Sequence, residues 1–524
     1  MSNRAFAAGM LGILSLALFL RVPRLGLRPM HHDEANQALK FGALLELGEY
    51  RYDRTDHHGP SLYYLSLPFA WAAGAAGLED LNEAALRRVP VAFSLALLLL
   101  LALIGKELGR PAVLGAALLW AVSPAVVYYS RFYIQESLFL FFVLGTMIWG
   151  WRYFSRPTLA GAAVCGLSAG MTFATKETCV IVFAALLGAA LLVRLGYRGI
   201  RPEFGSELRM TGMHLGVFIG SAGAVAVALY SSFFRHLPGV ADSVRSYFTY
   251  LERAGEPSWH AHPWFYYLKL LAFSRYGRGP VWSEALVLGL ALVGIVSAFR
   301  PGRRERITSF VRFVLFYTLI STFIFSLISY KTPWNLLPFY LGVVILAGAG
   351  AAYLIERAPR PGGKAVVAVL LAAGVFHLAW QSQRSNVHYY ADPRNPYVYS
   401  HTSTDFMRMV RRIQDLASLH PRGRDLLIKV VADPYSTWPL PWYLRSFSHV
   451  GYWQEAAEAG AFAGVPLVVA SPEQLARLSP ELGDDYQIEY YGLRPEVLVA
   501  LCIEDSLWEA FLKTRKGTLP KVPP

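Results

Sequence analysis

Cysteine is nearly absent, with three in 524 residues. Cys165 and Cys179 fall in apolar runs and Cys502 in a strand-like one, so the chain has neither a disulfide framework nor a zinc-type spacing. They read as small core residues. Charge is scarce as well. Charged residues make up 16% of the chain against 54% hydrophobic ones, with a mean hydropathy of +0.35, which excludes ordinary globular usage. There is no evident internal repeat or low-complexity tract, and no glycine-rich phosphate loop opening a helix, so nothing in the sequence asks for a nucleotide.

What the chain has instead is long apolar runs. Residues 5–20, 87–105, 112–130, 137–151, 158–175, 178–193, 212–232, 283–299, 308–329, 334–355 and 364–380 each approach the ~20 residues that cross a bilayer core. The reading is a polytopic α-helical membrane protein of about eleven spans. Arg21-Val22-Pro23-Arg24 stands where a small-residue cleavage site would lie, so the first run is expected to be an uncleaved anchor. The net charge of +13 comes largely from Lys106, Arg110, Arg152, Arg156 and the basic stretches 194–209, 300–306 and 357–364. With a cytoplasmic N-terminus all of these fall on the cytoplasmic side of an inner or cell membrane, so the basicity needs no nucleic-acid partner.

An odd number of spans leaves residues 381–524 outside the cytoplasm. That tail alternates short apolar runs at 426–431, 466–470 and 497–503 with helical patterns at 402–418, 471–479 and 504–513, which predicts a soluble α/β domain. Residues 1–380 form the membrane module. Its two long exterior loops are 21–86, where 61–77 reads as interfacial helix, and 233–281, which carries an aromatic-rich stretch from Trp259 to Tyr267.

The unusual polar residues converge on one membrane face. Asp33, Glu34, His57 and His58 lie in the first loop, and Arg131, Gln135 and Glu136 between two spans. Lys176 and Glu177 interrupt another pair of spans, His260 and His262 lie in the second loop, and Lys331 separates two later spans. Ionisable groups in a membrane protein mark function unless they pair or reach water. A fixed lysine suits a phosphate, and a nearby aspartate can take a proton from an attacking hydroxyl or amine. The alternatives are plain ones. Asp33 and Glu34 also suit the first turn of a helix over 35–47, Lys176 and Lys331 could snorkel, and Glu136 could simply pair with Arg131.

In order and spacing, these segments resemble the GT-C membrane glycosyltransferases, especially the protein O-mannosyltransferase and aminoarabinose transferase branch. The resemblance is carried by Asp33-Glu34, His58-Gly59-Pro60-Ser61-Leu62-Tyr63-Tyr64, Arg131-Phe132-Tyr133-Ile134-Gln135-Glu136, Thr175-Lys176, His260 or His262 before Pro263-Trp264-Phe265-Tyr266-Tyr267, and Lys331-Thr332-Pro333. Lys331-Thr332-Pro333-Trp334 and Trp438-Pro439-Leu440-Pro441-Trp442-Tyr443-Leu444-Arg445 also resemble the flippase-activity-associated group of that superfamily. The resemblance implies a GT-C fold and transfer of a sugar, with inversion, from a polyprenyl-phosphate donor to a lipid, glycan or protein acceptor on the exterior face.

By motif position it implies Asp33 as catalytic base, with Glu34 the second choice and Glu136 as a further acidic residue. Lys176 and Lys331, with Arg131 and His58, would hold the donor phosphate. His260 or His262, with His57, would be ligands of a divalent metal. The family often has a lysine before the first-loop proline, where this chain has His58-Gly59-Pro60. The rival is a transporter or flippase-associated role without transfer. One-sided clustering of the ionisable residues and the lack of two similar halves favour the enzyme.

Overall fold

The computed structural model describes residues 1–56, 58–196, 212–254, 260–299 and 305–515. Among them, seven helices are long and apolar enough to cross a membrane: Asn3–Arg21, Glu83–Gly105, Glu136–Ser155, Gly212–Tyr230, Ile307–Leu327, Pro333–Arg357 and Arg360–Val387. Four shorter apolar helices join them: Arg110–Val122, Leu159–Phe173, Cys179–Leu195 and Ala285–Ala298. Each predicted apolar run is therefore helical. The protein is an integral membrane protein.

One predicted run is broken. Residues 112–130 form two helices, Arg110–Val122 and Pro124–Tyr129, because Ser123 leaves helical geometry. Its hydroxyl accepts the Val126 N–H at 3.3 Å, and Pro124 occupies the first position of the new helix. At the bundle centre, Pro333–Arg357 crosses Ala285–Ala298 at near backbone contact. A Cβ added at Gly350 would lie 1.9 Å from the Leu290 carbonyl oxygen, so only glycine permits that crossing.

The first long loop folds into helices His32–Leu47 and Ser61–Ala72, the latter within the stretch read as interfacial helix. Beyond Val387 a mixed five-stranded sheet forms, in the order β2-β1-β3-β5-β4. Its strands are β1 Ile428–Val431, β2 Val450–Trp453, β3 Leu467–Ala470, β4 Tyr486–Arg494 and β5 Val497–Glu504. β1 runs parallel to β2 and β3, whereas β5 is antiparallel to β3 and β4.

Strand alternation sorts the sheet's two faces. Val431, Val468, Ala470, Ala500 and Cys502 pack on helix Pro472–Leu482. Ile428, Val430, Leu467, Val469, Leu501 and Ile503 face helices Phe406–Leu419 and Asp505–Arg515. That second face shares one apolar cluster with Met30, Ala35, Phe41 and Tyr63 of the first loop. Polar contacts reinforce the joint: the Met30 N–H donates to the Tyr443 hydroxyl (2.8 Å), Trp442 Nε1–H to Glu83 (3.0 Å) and Arg445 to the Leu81 carbonyl (2.7 Å). The tail domain is thus fastened to the loop that carries Asp33.

Candidate active site

Helix His32–Leu47 starts with a reciprocal cap. The His31 ring accepts the Asp33 N–H at 3.0 Å, and the Glu34 carboxylate accepts the His31 N–H at 3.1 Å. Glu34 is fully buried, and Arg87 grips it at two points, Nε to Oε1 (2.7 Å) and Nη2 to Oε2 (2.6 Å). The Tyr133 N–H adds a third donor at 2.8 Å. Burial alone would raise the Glu34 pKa, but the charges of Arg87 and Arg28 outweigh it and hold the carboxyl below its usual range. Arg87 spends its remaining donors on the carbonyls of Leu25, Arg28 and Pro29 (2.8, 2.7 and 3.1 Å), so the loop before the helix is clamped as well.

Successive helix residues point roughly 100° apart. With Glu34 turned into the bundle, its neighbour Asp33 is left at the mouth, its side chain 29% exposed. One carboxylate oxygen lies 3.7 Å from His31 Nδ1. The Asp33 charge is felt by His260 from the second long loop and by Arg494 from the tail domain.

A second cluster joins that loop to Lys331. The Tyr399 hydroxyl meets His260 Nδ1 at 2.7 Å and His262 Nε2 at 3.4 Å. Burial lowers the pKa of both rings, and the Lys331 charge lowers His262 further. Lys331 is buried and its amine donates to the carbonyls of His262 (3.1 Å) and Ile328. These are neutral oxygens, so its charge is not cancelled there.

Lys176 differs. It forms a buried ion pair with Glu136, the first residue of its span helix, and donates to Asn335 Oδ1 at 2.9 Å. Beside it, His58 Nδ1 lies 2.6 Å from the Glu177 carboxylate, to which the Tyr52 hydroxyl also donates at 3.4 Å. The close approach depends on Gly59. A Cβ there would fall 2.3 Å from the Ala174 carbonyl oxygen, which instead accepts the Ser61 N–H at 3.1 Å. Arg131 lies apart from these groups and donates to the carbonyls of Leu20, Arg21 and Arg24 (3.3, 2.8 and 3.0 Å).

The structure therefore brings together most of the residues picked from sequence, but commits several of them, Lys176 and His58 included, to internal partners. Glu34 is held by Arg87, Glu136 by Lys176, and Arg131 by backbone carbonyls. The expected pairing of Glu136 with Arg131 gives way to Lys176. Sequence reading missed Arg87, Asn335, Tyr399 and Arg494. Arg87 carried the clearest signal, an arginine at the first position of an apolar run; Tyr399 and Arg494 carried none.

The metal expectation does not fit. His57 lies outside the described residues. His260 and His262 converge on a hydroxyl, and among the described residues no group of three or more His, Cys, Asp or Glu side chains is placed to hold an ion.

Known proteins share this architecture. Residues 14–235 match the model of the dolichyl-phosphate-mannose-protein mannosyltransferase family. ArnT from Cupriavidus metallidurans, solved bound to undecaprenyl phosphate, superposes with a TM-score of 0.59 at 14% identity, over 97% of this chain and 99% of that one. The Saccharomyces cerevisiae protein O-mannosyltransferase Pmt1-Pmt2 complex, solved with its sugar donor, gives 0.56 at 10% identity over 79% of this chain and 92% of that one. The Archaeoglobus fulgidus oligosaccharyltransferase, tethered to an acceptor peptide, gives 0.54 at 12% identity over 98% and 78%. No curated protein matches in sequence. The chain has the GT-C fold that the resemblance implied.

Proposed function

We propose that this protein is a membrane glycosyltransferase that takes a sugar from a polyprenyl-phosphate carrier and transfers it, with inversion, at the membrane face where Asp33 and the tail domain meet, the exterior face if the N-terminus is cytoplasmic. The observation that carries the reading is the setting of Asp33. It is a half-buried carboxylate fixed on a clamped helix, with Lys331, whose amine meets only carbonyl oxygens among the described residues, reached through His260, Tyr399 and His262. The match to the mannosyltransferase family over 14–235 covers Asp33, His58, Glu136 and Lys176, and the fold is shared with enzymes solved on undecaprenyl phosphate or a sugar donor.

In this reading Asp33 accepts the proton of an acceptor hydroxyl or amine as the acceptor atom bonds to the anomeric carbon. The carbon–oxygen bond to the carrier breaks, and its electron pair leaves on the phosphate. Lys331 neutralises that growing charge as a point cation. Lys176, tied to Glu136 and Asn335, and His58, tied to Glu177, form the polar wall beside it. Glu34 and Arg131 position the base without touching substrate.

The test is transfer from labelled polyprenyl-phosphate sugars by the full chain in lipid nanodiscs, reading acceptor labelling and release of free lipid phosphate. Asp33→Asn is expected to fold, to bind carrier, and to lose turnover by about 10² to 10⁴. No turnover by the wild type across a broad donor and acceptor panel, with carrier scrambling instead, would favour a flippase role.

A further inference from the structure

Arg494 ends strand β4 of the tail domain and is 5% exposed, yet among the described residues no carboxylate of its own domain is bound to it. Its Nη2 donates to the carbonyls of Tyr435 (2.5 Å) and Trp438 (3.0 Å), and its guanidinium lies 3.9 Å over the Tyr435 ring. Those contacts fix the plane of the fork. The Nε–H is fully buried and has no hydrogen-bond acceptor among the described residues. A buried guanidinium donor left unpaired has given up water without gaining an acceptor, so such groups are rare unless something completes them.

Its position says what could. The Trp438 that accepts from Arg494 sits with its ring 5.6 Å from His32, immediately before Asp33, and the Arg494 charge is felt at both His31 and His32. The cation therefore stands near the proposed base and belongs to the tail domain, whereas Lys331 belongs to the membrane module. A carrier phosphate arrives along the membrane. A group that meets the water-facing domain arrives with the acceptor.

We propose that Arg494 is the acceptor-recognition residue of this site, binding a carboxylate or phosphate oxygen carried next to the nucleophile, so that the enzyme's acceptor is anionic. The inference rests on the glycosyltransferase reading. It adds that the tail domain supplies a side chain to the site, with Nε–H and the remaining guanidinium edge as the donors and Asp33 close enough to receive the acceptor proton. An oxyanion there also offsets what would otherwise be an unpaired buried cation.

The experiment uses the full chain in nanodiscs and two probes, inorganic phosphate for the acceptor side and undecaprenyl phosphate for the carrier side, with Trp438 fluorescence and competition as readouts. Arg494→Gln is expected to weaken phosphate binding roughly tenfold or more while changing undecaprenyl phosphate binding less than about twofold. Arg494→Lys, which keeps the charge but loses the planar fork, should fall between. Lys331→Gln should show the reverse selectivity, which separates the two sides even where a single variant is poorly folded.

Equal loss of both probes in Arg494→Gln would move Arg494 to the carrier side and overturn the proposal. So would unchanged phosphate binding, or no phosphate binding by the wild type. A wild type that binds phosphate through Arg494 but neither binds undecaprenyl phosphate nor turns over any donor would sink the glycosyltransferase reading, and the acceptor assignment with it. In that outcome the anion site itself would survive as a distinguishable result.

Discussion

Glu34 and Arg87 form a buried two-point ion pair, 2.6 and 2.7 Å, between helix His32–Leu47 and the start of an apolar helix, Glu83–Gly105. Each lies 0% exposed, and Arg87 also holds three carbonyls of the loop before the helix. The adjacent acids Asp33 and Glu34 thus have divided roles set by helical geometry, one turned to the mouth and one to the clamp. Arg87→Met leaves the Glu34 charge buried without its main partner, and the expected loss is ~3–5 kcal/mol of stability. Asp33→Asn, in contrast, should unfold within ~1 kcal/mol of wild type while losing turnover. Denaturation in detergent, paired with the transfer assay, checks the split; equal destabilisation by both would show that Asp33 is structural.

The Lys176–Glu136 pair argues for a different pattern from Lys331. Lys176→Gln strands a buried carboxylate, so its activity loss should be accompanied by a lower melting temperature, and adding Glu136→Gln should restore much of the stability. Lys331→Gln breaks hydrogen bonds to carbonyls but strands no charge. It should lower kcat/KM by roughly ten- to a hundredfold with little change in melting. A stability cycle on the first pair and steady-state kinetics on Lys331 measure both.

Gly59 sets the distance between the first loop and the Lys176 segment. A side chain there cannot be absorbed by a rotamer change, because the atom it meets, at 2.3 Å, is the backbone oxygen of Ala174. Gly59→Ala is expected to cost ~1–3 kcal/mol and to part His58 from Glu177, with a fall in carrier affinity. Wild-type melting and affinity in that variant would mean that the loop has room to shift.

Much of this was legible in sequence, for reasons that can be named. Each apolar run is a helix because a bilayer leaves the backbone no other local way to satisfy its hydrogen bonds. Sequence found the break at Ser123-Pro124 only as a run, since an apolar stretch hides a cap. In the tail domain, β1, β3 and β5 announced themselves as short buried apolar runs, whereas β2 (Val450–Trp453) contains Gly451 and β4 (Tyr486–Arg494) mixes Gln487, Glu489 and Arg494 among its apolar residues. Strands with exposed positions lack the continuous apolar signal. Asp33, Lys176 and Lys331 could be singled out because charge is rare where they stand. Which acid pairs with which cation depends on the packing of helices far apart in the chain, and no local pattern encodes that Glu136 meets Lys176 while Glu34 meets Arg87.

The joint between the first loop and the tail domain should weaken in acid. Burial lowers the His32 pKa to about 4, with the Asp33 charge opposing and those of His31 and Arg494 adding to the fall. His31 is lowered in the same direction by burial. Above the unfolded value of ~6.5 the rings are neutral in both states and stability does not change with pH on their account. Between ~6.5 and 4 the unfolded chain binds a proton that the folded His32 ring refuses, so stability falls as the pH falls, by at most ~1.4 kcal/mol per pH unit for that ring, and His31 acts in the same direction. Because the His32 ring lies 5.6 Å from that of Trp438, the loss should register at the domain joint. Melting followed by tryptophan fluorescence at pH 7.5, 6 and 5 should show a decline that is shallower in His32→Gln. An identical slope in that variant would assign the acid sensitivity to other groups, such as His31 or His401, whose pKa burial also lowers.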